Sequence, residues 1–294
     1  MMRLLTVALV LAAMPVAAAE RALVATPSTL AAVIAGARGG ETITLVAGDY
    51  PLLAVKERVF SSPITIDARA ARVGGLKLEG VEGLVWRGGT IKSPAVDGRG
   101  RAGYAVFIAQ SKGITIRDTL ITDTVRAMVI GESSDVLISK NRMIGMTIDG
   151  LNIGSGSHHV TIDGNYCETY NTGEAHPDCY QGWSRPGRPV SDIVVTNNIA
   201  KGRAQGIYFG NVPTRKPVGD PGFDRVRIEN NTVETLFPNG VVAIDCRDCI
   251  IRYNKVTSLP GARFRAKVLA RRGTGISCGN TVPDLPRMKA SQRC

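Results

Sequence analysis

Apolar and polar positions alternate in short runs through the middle of the chain, and each run ends at a polar residue before a second apolar run begins. The repeated phrase reads apolar, any, apolar, two variable residues, a turn residue, any, then small or apolar. Its copies are ITIRDTLI at 114–121, VLISKNRM at 136–143, VTIDGNYC at 160–167, IVVTNNIA at 193–200, VRIENNTV at 226–233 and CIIRYNKV at 249–256. The turn residues are Thr119, Asn141, Asn165, Asn198, Asn231 and Asn254, separated by 22, 24, 33, 33 and 23 residues. Weaker copies, SPITID at 62–67 and GLVWRGGTI at 83–91, precede them.

Period-two alternation around a sharp turn predicts strands that bury one face. A recurring unit of this length predicts a solenoid, in which each repeat buries its apolar face only by stacking on the next. Asparagine suits the turn because it tolerates the left-handed backbone region and its amide reaches neighbouring turns. Stacked at one level, such asparagines form a ladder at the strand spacing of roughly 4.8 Å. Upstream, Thr26 to Gly40 predicts a helix, with Thr26 capping it, Pro27 at its first position, Leu30, Val33 and Ile34 on one face, and glycines ending it. Followed by a strand over 41–46 and a turn over 47–50, this helix is expected to cover the open edge of the stack. At the other end, Arg263, Arg265, Lys267, Arg271 and Arg272 predict a solvated edge strand.

From GGETITLVAGDY at 39–50 to the last copy, the chain resembles the right-handed parallel β-helix, or pectate-lyase-like, superfamily. The resemblance implies an all-β fold, a single-stranded right-handed parallel β-helix (a solenoid) with an N-terminal capping helix. It says more about architecture than activity, because one fold hosts many chemistries.

A second apolar strand follows each turn: RAMVIG at 126–131, DGLNIG at 149–154, DCYQGW at 178–183, QGIYFG at 205–210 and NGVVAI at 239–244. Laid over one another, these give a first column Arg126, Asp149, Asp178, Gln205, Asn239 and, three residues on, a second column Val129, Asn152, Gln181, Tyr208, Val242. On a regular strand positions three apart face opposite ways, so the two columns share a face only if the first sits in a turn. The second column, polar on its middle coils and valine at both ends, reads as a site. The coil insertions at 170–177, 184–191 and 211–223 fall beside the same strands, as loops that carry function on a rigid scaffold do. They are expected to wall this face into a trough.

Composition and processing signals narrow the setting. Met1 to Ala19 holds Arg3, an apolar stretch and a run of small residues, which predicts a secretory signal over 1–19 and one domain over 20–294, exported to the periplasm or the extracellular space. No later segment is long and apolar enough to predict a membrane span. Six cysteines, an even number, fit an oxidising compartment. The candidate pairs are Cys167 with Cys179, Cys246 with Cys249 and Cys278 with Cys294, although sequence leaves other pairings open. The formal charge of +11 attracts polyanions. With export expected and no nucleic-acid-binding motif, the expected partner is an acidic polysaccharide, not nucleic acid, and the protein is expected to be a monomer.

The densest chemical signal is HPDCYQGW at 176–183, which resembles an H-x-D-x-x-Q pattern met in some β-helix polysaccharide-active enzymes and phage depolymerases. His176 can titrate near neutral pH, Asp178 can orient or charge-balance it, and Gln181 can hold a substrate oxygen. A lyase acting on a uronate polymer must neutralise a carboxylate, remove the neighbouring proton and protonate the leaving oxygen. Arg215 or Lys216, His176 and Tyr208 are the candidates for these tasks. A C5-epimerase needs the first two and then a proton returned to the opposite face. Asn152, Gln181, Trp183, Gln205, Arg185 and Arg188 are the candidate substrate-binding residues. Trp183 and Tyr180 have two readings, stacking on sugar or filling the core. No cofactor is expected beyond a possible calcium between Asp149 and Asp178, a thin oxygen shell for that ion. The same carboxylates could form a glycosidase pair, roughly 5 to 5.5 Å apart in a retaining enzyme. A noncatalytic glycan- or envelope-binding β-helix is the alternative of a different class.

Overall fold

The computed structural model describes residues 21–93, 103–154, 156–170, 177–211, 222–283 and 294. The expected leader, His176, Arg215 and Lys216 lie outside these residues. The fold is the right-handed parallel β-helix. Each coil contributes one strand to each of three parallel sheets. A repeat sheet stacks Lys112–Arg117, Ser134–Ser139, His158–Asp163, Val190–Thr196, Arg227–Glu229, Cys249–Arg252 and Gly275–Cys278. A short sheet stacks Leu120–Thr122, Arg142–Ile144, Tyr166–Thr169, Ile199–Gly202, Thr232–Thr235 and Lys255–Ser258. A groove sheet stacks Tyr104–Ala109, Arg126–Gly131, Leu151–Ile153, Asp178–Gly182, Gln205–Phe209, Asn239–Ile244 and Lys267–Arg271. In the first coils, the long strands Leu53–Asp67 and Leu76–Arg87 run through both the groove and the repeat sheets.

The alternation read from the sequence is what fills the interior. Ile116, Ile138, Ile162, Val195, Ile228 and Ile251 stand in register on six successive coils and are all buried. Like residues stacked on like fill a narrow tube at the density of a protein interior. All three cysteine pairs named above form disulfides: Cys167–Cys179, Cys246–Cys249 and Cys278–Cys294.

The asparagine ladder is present and runs one rung further than the phrase predicted, to Asn280. In each rung the side-chain oxygen accepts from both the backbone N–H and the amide of the asparagine one coil earlier, as Asn198 Oδ1 does from Asn165 at 2.8 and 3.0 Å. The amide nitrogen also donates back to a carbonyl, Asn198 Nδ2 to Ile162 O at 2.9 Å. The asparagines themselves are not in the left-handed region. That conformation belongs to the residue before each turn position: Asp118, Lys140, Gly164, Asn197, Asn230, Tyr253 and Gly279, with φ between 54° and 64°. The turn thus divides the labour: one residue bends the chain, and asparagine links the coils. A second, shorter ladder of buried serines, Ser111, Ser133 and Ser157, lies where the groove sheet turns into the repeat sheet.

The N-terminal helix spans only Leu30–Gly36. Thr26 to Thr29 forms a turn instead, with Thr29 and Leu30 N–H both donating to Thr26 O at 3.1 and 3.0 Å. Leu30 and Ile34 bury into the first coil. A strand not anticipated from the sequence, Ala22–Ala25, pairs with Thr42–Leu45, and Gly48–Tyr50 is a strand, not a turn. Of the basic C-terminal residues, Lys267 and Arg271 lie in the last groove-sheet strand.

Replacing Asn198 with alanine removes the acceptor for the Asn165 backbone N–H inside the stack. A buried unsatisfied donor costs about 1–3 kcal/mol, and the lost Asn198 bonds add to it. Urea denaturation of Asn198→Ala should show a loss of at least about 2 kcal/mol. Asn280→Ala, at the more exposed end rung, should lose less. Equal losses would mean the ladder does not act as a cooperative column.

Candidate functional site

The registers bear out the alignment of the second strands. Phe107, Val129, Asn152, Gln181, Tyr208, Val242 and Leu269 form one column across seven coils. The first column shares its face, because alternation breaks at the start of these strands. Ala127 and Met128 are both buried, as are Cys179 and Tyr180. Two consecutive inward residues place Arg126 beside Val129 and Asp178 beside Gln181, which regular pleating forbids. The chain there is packed too tightly for a side chain at Gly150, where a Cβ would lie 2.4 Å from Cys179 O and 2.9 Å from Cys167 Sγ. The Cys167–Cys179 disulfide fixes the start of the strand that carries Asp178.

On this face a hydrogen-bonded network joins both columns. Arg126 Nε donates to Asp149 Oδ2 at 3.2 Å, and the backbone N–H of Asp178 donates to Asp149 Oδ1 at 3.0 Å. Asn152 Nδ2 reaches Asp149 Oδ2 at 3.4 Å and Gln181 Oε1 at 2.8 Å. Gln181 is the hub: its oxygen also accepts from Trp183 Nε1, and its nitrogen donates to Asp178 Oδ2. The other oxygen of Asp178, Oδ1, is buried and has no hydrogen-bond partner among the described residues. Asn239 Nδ2 donates to Gln205 Oε1 further along the face.

Asp178 is the electrostatic anomaly. Burial, and then the neighbouring charge of Asp149, push its carboxyl from 3.8 up to about 8. It therefore holds its proton at neutral pH. The Tyr208 hydroxyl, in register beside Gln181, is also pushed up, by burial and by Asp178, so it too stays protonated. A neutral carboxyl, Asp178, thus lies beside one carboxylate, Asp149, which Arg126 balances, with the Tyr208 hydroxyl one coil further on.

A groove of about 370 Å³ opens over this network, lined by Tyr104, Arg126, Val129, Asp149, Asn152, Gln181 and Trp183. Trp183, 40% exposed, stands out of the fold, whereas Tyr180 is fully buried and its hydroxyl donates to Asn165 O at 3.2 Å. Tyr180 therefore takes the core-filling reading, and Trp183 does not. Arg185 and Arg188 sit on a loop whose backbone closes as Arg188 N–H to Arg185 O at 3.0 Å. Arg188 pairs with Glu132, which offsets part of the cationic wall. Sequence reading passed over Tyr104 and Phe107, stacked with ring centroids 4.8 Å apart at the head of the groove. It also gave Arg126 no task. YAVFIA at 104–109 is one more copy of the second strand, and aligning it would have found both aromatics.

No protein-family model matches the chain, and no curated protein sequence does. Solved structures resemble it in fold. The alginate lyase from Paenibacillus sp. str. FPU-7 superposes with a TM-score of 0.51 at 14% identity, over 86% of this chain and 99% of that one. The Dettilon tailspike protein gives 0.53 at 14%, over 86% and 56% of the two chains. The endo-xylogalacturonan hydrolase from Aspergillus tubingensis gives 0.50 at 13%, over 88% and 91%. At these identities the likeness is one of architecture.

A carboxyl whose folded-state pKa lies above its unfolded value destabilises the fold as pH rises between the two, because the unfolded chain ionises first. The Asp178 contribution should therefore decline from about pH 4 to about pH 8 and level off above that. Asp178→Asn, which mimics the neutral carboxyl, should remove this slope. In chemical denaturation at several pH values, the variant should gain on the native protein between pH 5 and 8. A constant difference across that range would show that Asp178 is ionised throughout.

Proposed function

We propose that the protein is an exported carbohydrate-active enzyme, a lyase or C5-epimerase that acts on a uronate-containing polysaccharide in the groove over Gln181. The observation that carries this reading is Asp178, a carboxyl held neutral beside the Gln181 amide and near the protonated Tyr208. A neutral carboxyl beneath the groove does not repel a substrate carboxylate, as an ionised one would. Export is supported by the three disulfides and by the secretory pattern at the start of the chain. A carbohydrate ligand is supported by the exposed aromatics around the groove and by similarity of fold to an alginate lyase and a xylogalacturonan hydrolase.

In this reading the uronate carboxylate sits in the groove against Arg126, Asn152 and Gln181, above the neutral Asp178, and this acidifies the adjacent C–H. A base, for which His176 is the candidate, takes that proton. In a lyase the electron pair forms the carbon–carbon double bond as the glycosidic C–O bond breaks, and Tyr208 gives its proton to the leaving oxygen. In an epimerase the bond stays and a proton returns to the other face. Hydrolysis by the Asp149–Asp178 pair is less well supported, because both oxygens of Asp149 already accept hydrogen bonds and Arg126 holds the carboxylate. Calcium fits poorly as well: a guanidinium balances Asp149, whose oxygens both accept hydrogen bonds, and a neutral Asp178 carries no charge to hold the ion.

The test is to incubate the protein with alginate, polygalacturonate and glucuronan, with and without chelator, and follow ultraviolet-absorbing unsaturated ends, new reducing ends and sugar configuration. Unsaturated ends or inverted C5 centres, unchanged by chelator, are expected. Tyr208→Phe and His176→Ala should each lower turnover by about 10²-fold or more while binding persists. Reducing ends without unsaturation would make the protein a hydrolase, and binding without any turnover would make it a noncatalytic glycan-binding module.

A further inference from the structure

Beyond Trp183 the same face carries a second hollow of about 310 Å³, whose lining includes Phe107, Gly131, Glu132, Trp183, Arg185 and Arg188. It is displaced from the first groove along the strands, not along the axis of the solenoid. Gly131 lies two residues past Val129 at the end of one strand, and Trp183, just past the end of another, lies two past Gln181 and is exposed, so each pair faces outward together. Gly154 N–H donates to Ile130 O and Trp183 N–H to Ile153 O, which carries the ladder out to this level. Trp183 lines both hollows and stands as the partition between them.

The chemistry of the second hollow is that of a site for an anionic ring. Its walls include two aromatic faces, Phe107 and Trp183, of the kind that pack sugar rings. Two guanidiniums stand against a single carboxylate: Arg188 is paired with Glu132, while Arg185 has no ion-pair partner among the described residues. One positive charge is thus left for a ligand.

We propose that this hollow is a second subsite for an acidic sugar unit of the same glycan, so that the bound chain, or a branch of it, crosses the groove sheet along its strands past Trp183. The proposal rests on the carbohydrate reading above and extends it to the path of the substrate. The alternative path, along the solenoid axis, leads from Gln181 and Asn152 over Phe107 to Lys77, which lies in the same column with its ammonium 5.6 Å from the Phe107 ring.

Gly131 makes the two paths separable. Its φ is not positive, and a Cβ there would find nothing within 4 Å, so a side chain at this position enters the hollow without straining the backbone. Affinity electrophoresis of the full chain in gels containing alginate, polygalacturonate or glucuronan would compare the native protein with Gly131→Leu, Arg185→Ala and Lys77→Ala, each first checked for native melting. On the polysaccharide that the native protein binds best, Gly131→Leu and Arg185→Ala should weaken binding about tenfold, and Lys77→Ala less than about threefold. Native-like binding by Gly131→Leu would overturn the second subsite while leaving the carbohydrate reading intact, and a loss confined to Lys77→Ala would place the chain along the axis. A native protein that binds none of the three would overturn the reading on which the proposal rests.

Discussion

The buried turn amide is the constraint on which the structure depends. An asparagine side chain inside the stack has one acceptor and two donor hydrogens to satisfy, and water is absent. The coils above and below supply the acceptor's donors and one or more carbonyls, at one rise and one register, and a carbonyl two residues back in the same coil adds another. From Asn141 to Asn280 every rung meets that condition, and each satisfies the backbone N–H of the rung before it. A slip by one residue would orphan several buried polar groups at once, in addition to turning apolar side chains outward. The ladder therefore fixes the register of the groove sheet as well, because each coil is a single continuous turn of chain.

That fixed register is what makes a site possible on a surface built from repeats. Asp149, Asn152, Asp178 and Gln181 lie on the strands that follow Asn141 and Asn165, turn asparagines 24 residues apart, yet their side chains meet within hydrogen-bonding distance. The pair of inward residues at the start of each groove strand brings two columns onto one face. The network that results is stiff: Gln181 bonds to Asn152, Trp183 and Asp178 together. Its price is the buried carboxyl of Asp178, which the fold keeps neutral and only half satisfied.

Much of this was legible in the sequence. Spacing between turn asparagines located the strands, and the columns drawn from it match the pairing from Val129 to Val242. The three candidate cysteine pairs are the ones that form, although the sequence left other pairings open. What was not legible depends on backbone detail or on the partners of a side chain. Composition does not say that Lys140 and Tyr253, and not their asparagines, adopt the left-handed conformation. Nor does pleating predict that Arg126 and Asp149 would share a face with Asn152, since that needs an irregular strand start. Trp183, just past the end of the strand that carries Tyr180, is three residues from it, so the alternation sends one outward and the other into the core. The helix was overextended because Thr26 and Pro27 satisfy the rules for a helix start equally well in a turn.

The protonation of Asp178 is the central claim, because the electrostatics of the groove above it follow from it. A direct measurement is the pH titration of the Asp178 side-chain carboxyl by carbon-13 NMR, assigned by its disappearance in Asp178→Asn. The account predicts a midpoint near 8, far above the ordinary value of 3.8. A midpoint near 4 would contradict it and leave the groove with two ionised carboxylates.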